Sequence, residues 1–301
     1  MFSILTPTHN RADVIERVYK SLKNQTYKGF EWIIIDDASK DNTEEIVKAW
    51  QITEKEFNIR YYKLPHNLGK AAVVNFGIDK CSRPFTIIAD DDDTFSSNTL
   101  EDLKLIWDTI DKTENSLQIG AVWTLVQDEQ GKIIGEKFPS NFWQVNFKQR
   151  VLERNGPPKG EKWHSWRTAV LKKYKKFTNP NSRVDPSVSW NRINKHYDFL
   201  CVNIVHRTYC ISEDGYIQQK KSRLKVEKRH YYSSFLELKH ISPFTIIKEP
   251  YYRNTAFSYI KSSYFYYDKE NSLDTKRFIT CLLTFLILLP SRAFKRFFLK
   301  V

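Results

Sequence analysis

Four times within the first hundred residues, a short apolar run gives way to a polar loop and then to a segment of helical period. The runs cover residues 2–6, 32–35, 59–63 and 85–89. After the first, Val14, Ile15, Val18 and Leu22 recur at helical spacing. After the second, Asp41 and Glu44 stand three apart, the spacing of a capping box, and predict a helix through Ile46, Val47 and Trp50. The third leads into a helix over 71–80. The fourth precedes one that opens at Asn98 with Glu101 and lines up Leu100, Leu103, Ile106, Trp107 and Ile110. Such alternation predicts an α/β chain with a mostly parallel, doubly wound sheet. The carboxyl ends of its strands then open onto one crevice, where such folds bind ligands.

What stands at those ends is polar and charged: Pro7-Thr8-His9-Asn10-Arg11, Asp36-Asp37, His66-Asn67-Leu68-Gly69-Lys70, and Asp90-Asp91-Asp92-Asp93. Four adjacent carboxylates repel one another and gain nothing in an apolar core. Two readings account for them: a hard divalent cation held with a substrate's phosphates, or a solvated acidic turn before a helix. The net charge of +13 calls for an anionic partner, whether a nucleotide, a lipid surface or nucleic acid. No GxGxxG follows the first strand and no GxxxxGK[ST] occurs anywhere, which argues against a dinucleotide-dependent dehydrogenase and a P-loop enzyme. No standard nucleic-acid-binding motif occurs either. Cys81, Cys201, Cys210 and Cys281 form no CxxC pair and are expected as free thiols in a reducing compartment. The apolar start is too short for a signal peptide, so the expected setting is cytoplasmic.

In this order, these four blocks resemble a family 2 glycosyltransferase with the GT-A fold. The resemblance covers about the first 100 residues and includes Asn67 through Ile78 of the third block. It implies a nucleotide-sugar site in which Pro7, Thr8 and Asp37 hold the base. Asn10, Arg11, Asn67, Lys70, Asp90 and Asp91 complete the nucleotide-binding set, with a charge at the start of a helix as the competing role for Lys70. Asp92, with Asp90 and Asp93, would hold Mn2+ or Mg2+ and the diphosphate. The implied reaction is inverting transfer of a sugar, from UDP by the family's habit, to a hydroxyl of a glycan or lipid-linked acceptor. A nucleotidyltransferase of similar fold is the alternative enzyme; a basic nucleic-acid or membrane-binding protein is the non-enzymatic one.

The remaining two hundred residues are expected to complete the catalytic domain to residue 215, with 1–110 as the nucleotide-sugar half and 111–215 as the acceptor half. A strand is predicted over 119–127, then a turn at Asp128-Glu129-Gln130-Gly131 and a return through Ile133-Ile134. Residues 148–183 carry eleven Lys/Arg against two glutamates and a Gly/Pro-rich break at 155–160. The break and Lys162, Trp163 and Trp166 beyond it are expected as an acceptor-side lid over the nucleotide-sugar, with Trp163 or Trp166 stacking on a sugar face; burial of both tryptophans in the core is the competing reading. Asp185 is the first candidate for the general base, by similarity to a segment preceding a Trp-Asn-Arg-Ile helix. Glu213 and Asp214 are the alternatives, and a helix cap is the competing role for Asp185. His164, His196 and His206 lack metal-ligand spacing and are expected to be structural. Residues 216–301 are expected as a helical, aromatic and basic extension. Its apolar run at 278–289 is too short to span a bilayer, so it points to a peripheral place on the inner membrane face, or to burial in the domain or a homodimer.

Overall fold

The structure, a computed structural model, describes residues 1–210 and 222–298, with side chains through residue 289. The chain divides into two compact units: Met1–Phe147 with Pro158–Lys176 and Arg192–Tyr216, and Lys148–Pro157 with Phe177–Asn191 and Ile217–Val301. The helical unit therefore begins well before residue 216, because two earlier segments belong to it.

The first unit follows the predicted alternation. Its elements are β1 (Phe2–Thr8), α1 (Glu16–Lys23), β2 (Phe30–Asp36), α2 (Thr43–Thr53), β3 (Asn58–Lys63), α3 (Lys70–Lys80), β4 (Phe85–Ile88), β5 (Thr94–Phe95), α4 (Thr99–Ile110), β6 (Ile119–Gln127), β7 (Trp143–Val145), β8 (Lys162–Arg167), α5 (Thr168–Lys173) and, after α6 (Pro186–Asn194), β9 (Asp198–Thr208). One sheet runs in the order β3-β2-β1-β4-β8-β6-β9-β5, with β7 paired to β9. The β3-β2-β1-β4 half is parallel. Beyond it β8 enters antiparallel between β4 and β6, and β6 pairs β9 in parallel.

Both faces of the parallel half are covered, which explains the unbroken apolar runs. Phe2, Ile4, Trp32, Ile34, Phe85 and Ile87 point to one face, where Val18, Leu22, Val47, Leu103 and Trp107 pack in the same core. On the other face α3 lies so close to β1 that a Cβ at Gly77 would collide with Leu5. The expected capping boxes are replaced by a different arrangement. Asp41 accepts from the Thr43 amide (3.2 Å) and hydroxyl (2.6 Å) and from the Ala12 amide (2.9 Å), while Glu44 reaches Lys48 and Lys63. Asn98 precedes α4 without capping it and donates to Asp102 instead. The predicted turn at 128–131 forms, closed by Gly131 N donating to Asp128 O (3.0 Å), and Ile133 returns as a single bridge to Gln127.

Glu31 ties the start of the sheet together. Its carboxylate accepts from Ser3 Oγ (2.7 Å), Ser82 N (2.9 Å), Ser82 Oγ (2.7 Å) and Arg60 (2.9 Å). Burial alone would raise its pKa, but these donors outweigh it and hold it at about 2, against an ordinary 4.5. A depressed carboxylate contributes stability that is complete above its unfolded pKa and is lost as pH falls through the folded one. Glu31→Gln should therefore be about 2 kcal/mol less stable than the parent at pH 7, after discounting for solvent screening. In urea unfolding the gap should close between pH 4.5 and 2; a gap independent of pH would contradict the account.

In the second unit, α7 (Arg223–Leu238), α8 (Pro243–Lys248), α9 (Pro250–Ser263) and α10 (Thr275–Phe298) pack around tyrosines. Ser222 and Ser242 cap α7 and α8, accepting from Lys225 N (3.3 Å) and Thr245 N (3.1 Å). Tyr231 stacks on Tyr259 with ring centroids 5.1 Å apart. Buried Arg150 donates to Asn191 (2.6 Å), which in turn donates to Glu237 (2.8 Å) and the Tyr251 hydroxyl (3.0 Å).

Candidate active site

The parallel register brings the loops after β1, β2 and β4 to one edge. Thr8 pairs with Asp36 and Leu5 with Ile88, so these strands end within a few residues of one another. The first two loops are stitched together by main-chain groups. The Asp37 amide donates to Thr8 O (2.8 Å), Asn10 N to Ser39 Oγ (2.8 Å) and Lys40 N to Asn10 Oδ1 (2.8 Å). His9 Nδ1 lies 2.8 Å from Asp37 O. Asn10 (φ 52°) and Ala38 (φ 63°) both sit in the left-handed region. For alanine that conformation costs about 1–2 kcal/mol, and such strain concentrates where a loop is shaped for a ligand.

Asp37 reaches across to the third loop, where Oδ1 accepts from Leu68 N (2.6 Å) and Oδ2 from Gly69 N (2.9 Å). Gly69 supplies the positive φ (81°) at the entrance to α3. Asp36 is wholly buried and serves the loop, accepting from Ser39 N (2.7 Å) and the Tyr61 hydroxyl. Pro7 is buried in β1, and Asn67 is exposed on its loop. Thr8 Oγ1 is buried with no hydrogen-bond partner among the described residues. A buried hydroxyl beside Asp37 with no protein partner is a group that a bound polar ligand can satisfy.

The four carboxylates separate by role. Asp93 N donates to Asp90 O (3.1 Å) and Asp90 N to Asp93 Oδ2 (2.9 Å), folding the run into a tight turn. Asp91 and Asp92 lie against Arg11, at 3.3 Å from Nε and 2.6 Å from Nη2. Asp90 lies 2.6 Å from Lys70 Nζ. Burial opposes the charge on Asp90, yet Lys70, Arg207 and Lys176 together hold its pKa below the usual range. Burial, with Asp92 and Asp90 as like charges, pushes Asp91 up to about 6 against the pull of Arg11 and Lys70. Burial likewise pushes Asp93 upward, against the attraction of Arg207.

Asp93, expected among the metal ligands, is turned inward. It is 2% exposed and paired at 2.5 Å with Arg207, because β5 pairs antiparallel with β9 and sets Thr94 opposite Thr208. Asp90 and Asp92 keep partly exposed side chains (32% and 21%) and offer the oxygen donors a hard cation prefers. Among the described residues no group of three His, Cys, Asp or Glu side chains could hold a metal by itself. Asp90 and Asp92 are carboxylates of the kind that a magnesium- or manganese-type ion takes one or two of beside substrate phosphates.

The lid expectation is corrected. Lys162, Trp163 and Trp166 lie on β8, inside the sheet between β4 and β6. Trp163 is 3% exposed and stacked on Phe95, Trp166 is 0% exposed, and Lys162 donates to the Lys159 carbonyl (2.8 Å). Asp185 lies in the helical unit, immediately before α6. Its amide donates to Ser233 Oγ (2.9 Å) and its carboxylate sits 3.4 Å from Arg229 Nε. Glu213 and Asp214 fall outside the described residues. Of the three histidines, His206 is buried with Nε2 3.3 Å from Asp102, His164 lies 4.6 Å from the Trp123 ring and His196 stacks on Tyr174.

Two cationic neighbours of the acidic turn escaped the sequence reading. Arg207 left one faint signal, an arginine ending an apolar run. Lys176 left none within its lysine cluster: Asn75 of α3 brackets its backbone, donating to Lys176 O (2.9 Å) and accepting from Lys176 N (2.8 Å).

Comparison with known proteins agrees with this geometry. A GalNAc(5)-diNAcBac-PP-undecaprenol beta-1,3-glucosyltransferase of Campylobacter jejuni is 36% identical over 104 residues, 34% of this chain and 32% of that protein. The matched stretch thus spans about a third of that relative's length. Among solved structures, Staphylococcus aureus TarS 1-349 in complex with UDP-GlcNAc superposes with TM-score 0.61 at 17% identity, covering 97% of this chain and 82% of that one. The mannosyltransferase PcManGT of Pyrobaculum calidifontis, in complex with GDP-Man and Mn2+, gives TM-score 0.55 at 16% identity, covering 100% and 88%. At these identities the two neighbours establish the fold, which is the GT-A architecture the sequence suggested. The profile described as Glycosyl transferase family 2 matches residues 3–156, half of the sequence, and the chain belongs to that family.

Proposed function

We propose that the chain transfers a sugar from a UDP-sugar to a hydroxyl of a glycan or lipid-linked acceptor, in one inverting displacement. The observation that carries this reading is the shared edge on which the orphaned Thr8 hydroxyl, Asp37, Arg11, Lys70 and the acidic turn meet. An acidic turn held by cations is suited to a diphosphate. Lys70 and Arg11 now neutralise Asp90 and Asp92, and they would turn to the phosphate oxygens once the donor binds. Lys176 adds positive charge beside Asp90. A divalent cation held by Asp90 and Asp92 would help stabilise the charge that develops on the leaving diphosphate. TarS with UDP-GlcNAc and PcManGT with GDP-Man and Mn2+ are the likenesses that support a nucleotide-sugar donor and a metal. The Campylobacter relative's name supports a lipid-linked acceptor. A poor nucleophile such as a hydroxyl needs a carboxylate base in hydrogen-bond reach. We assign that role to Asp185, with Glu213 and Asp214 as alternatives.

Calorimetric titration with UDP, GDP and dTDP, each with and without Mn2+, tests the reading. UDP should bind, and more tightly with the metal. Thr8→Val should raise the stability of the ligand-free protein by about 1 kcal/mol, because it removes an unsatisfied buried hydroxyl. The same change should weaken UDP about 5- to 10-fold. Failure of every nucleotide to bind would overturn the proposal. Release of pyrophosphate in turnover, instead of a nucleoside diphosphate, would favour a nucleotidyltransferase.

A further inference from the structure

Helix α10 is amphipathic in the opposite sense to a helix surrounded by water. Its buried side carries Thr280, Cys281 and Thr284, 8%, 0% and 4% exposed. Both threonine hydroxyls turn back onto the helix's own carbonyls, Lys276 O and Thr280 O, each at 2.8 Å. Its open side carries Ile279, Leu283, Leu286 and Ile287, exposed by 50%, 56%, 53% and 77%. Spacings of four, seven and eight residues from Ile279 place them on one stripe. A soluble surface rarely presents so continuous an aliphatic stripe without a partner to cover it. Helix α8, which touches α10, also leaves Phe244 and Ile247 exposed, by 72% and 57%.

Charge and length identify the partner. Residues 275–301 contain six Lys/Arg, at both ends of the apolar run, and no Asp or Glu; Arg277 pairs with Asp274 just before the helix and donates to Ile241 O (2.7 Å), which leaves five for an outside partner. A second copy would set two such cationic segments against each other, whereas an anionic surface complements them. The run at 278–289 makes roughly 18 Å of helix, short of the ~30 Å hydrocarbon core. Among the described residues no helix is long and apolar enough to cross a membrane. We propose that α10, with α8 beside it, lies in the interface of an anionic lipid bilayer, its stripe of isoleucines and leucines at the acyl boundary and the basic character of this stretch of sequence supplying the attraction to anionic headgroups. This inference stands apart from the nucleotide-sugar reading and can fail without it.

The test is co-sedimentation of the full chain with vesicles of phosphatidylcholine alone, or with about a third phosphatidylglycerol. Binding to the anionic vesicles should exceed binding to neutral ones about 10-fold or more and should fall steeply with added salt. Leu286→Gln with Ile287→Gln should weaken vesicle binding about 10-fold or more and leave the melting temperature and UDP affinity unchanged, since both side chains are exposed. Equal vesicle binding by parent and variant would overturn the role of the stripe, leaving only diffuse basic adhesion. No vesicle binding would overturn the proposal outright, and a dimer lost in the same variant would give the face to a second copy.

Discussion

Asparagine in place of Asp92 should lower sugar transfer by about two to three orders of magnitude, the loss expected when one preorganised group facing the developing charge is removed. The fold should be unaffected. Asp92 and Arg11 are 21% and 17% exposed, so their pair is partly screened by solvent and worth about 1 kcal/mol. Its removal also relieves repulsion with Asp91, one of the charges that raises the Asp91 pKa. Melting temperature and secondary structure should therefore match the parent while turnover collapses. Chelation of divalent cations should bring the parent to the same floor, and chelator added to the variant should do little more, because both act on one interaction. A variant that keeps a tenth of parental turnover, with its metal dependence intact, would remove Asp92 from the metal site and leave Asp90.

The parts of this site that were legible in the sequence are those set by short-range pattern. β1, β2 and β4 announce themselves as apolar runs because helices cover both faces of that half of the sheet, and the polar residues at their ends are where ligands can be met. The bounds of β6, Ile119–Gln127, were legible because the strand is buried along nearly its whole length. β8 was not. Lys-Trp-His-Ser-Trp-Arg, after a Gly/Pro-rich break, has the composition of a mobile loop. Only its pairing with β4, about eighty residues earlier, and with β6 makes it a central strand that buries both tryptophans. Asp93 was misread by the same limitation. Nothing local separates it from Asp90 or Asp92, and its inward turn depends on the register of β5 against β9. Caps were misplaced because Asp41 serves two segments at once, Ala12 and Thr43, where a local rule considers one.

Methionine in place of Arg207 should cost about 3–5 kcal/mol of stability, the usual consequence of stranding one member of a buried ion pair. Arg207 and Asp93 side chains are 8% and 2% exposed and meet at 2.5 Å. Asp93 would be left facing the Asp90 backbone amide with its charge otherwise uncompensated. It would take up a proton, since burial and the charges on Asp90 and Asp92 already push its pKa upward with Arg207 present. An acid whose folded pKa lies above its unfolded value is tolerated at low pH and destabilises as pH rises. The penalty in guanidinium unfolding should therefore be smaller near pH 5 than near pH 8.5. Asp93→Asn added to Arg207→Met should restore at least half the loss and flatten the pH dependence, because no buried charge remains. A single-variant penalty under about 1 kcal/mol would show the pair to be far more hydrated than its burial indicates. The double variant also separates the two roles of the acidic run. With Asp90 and Asp92 intact it should retain metal-dependent transfer, whereas a fall to the Asp92→Asn floor would return Asp93 to the metal site.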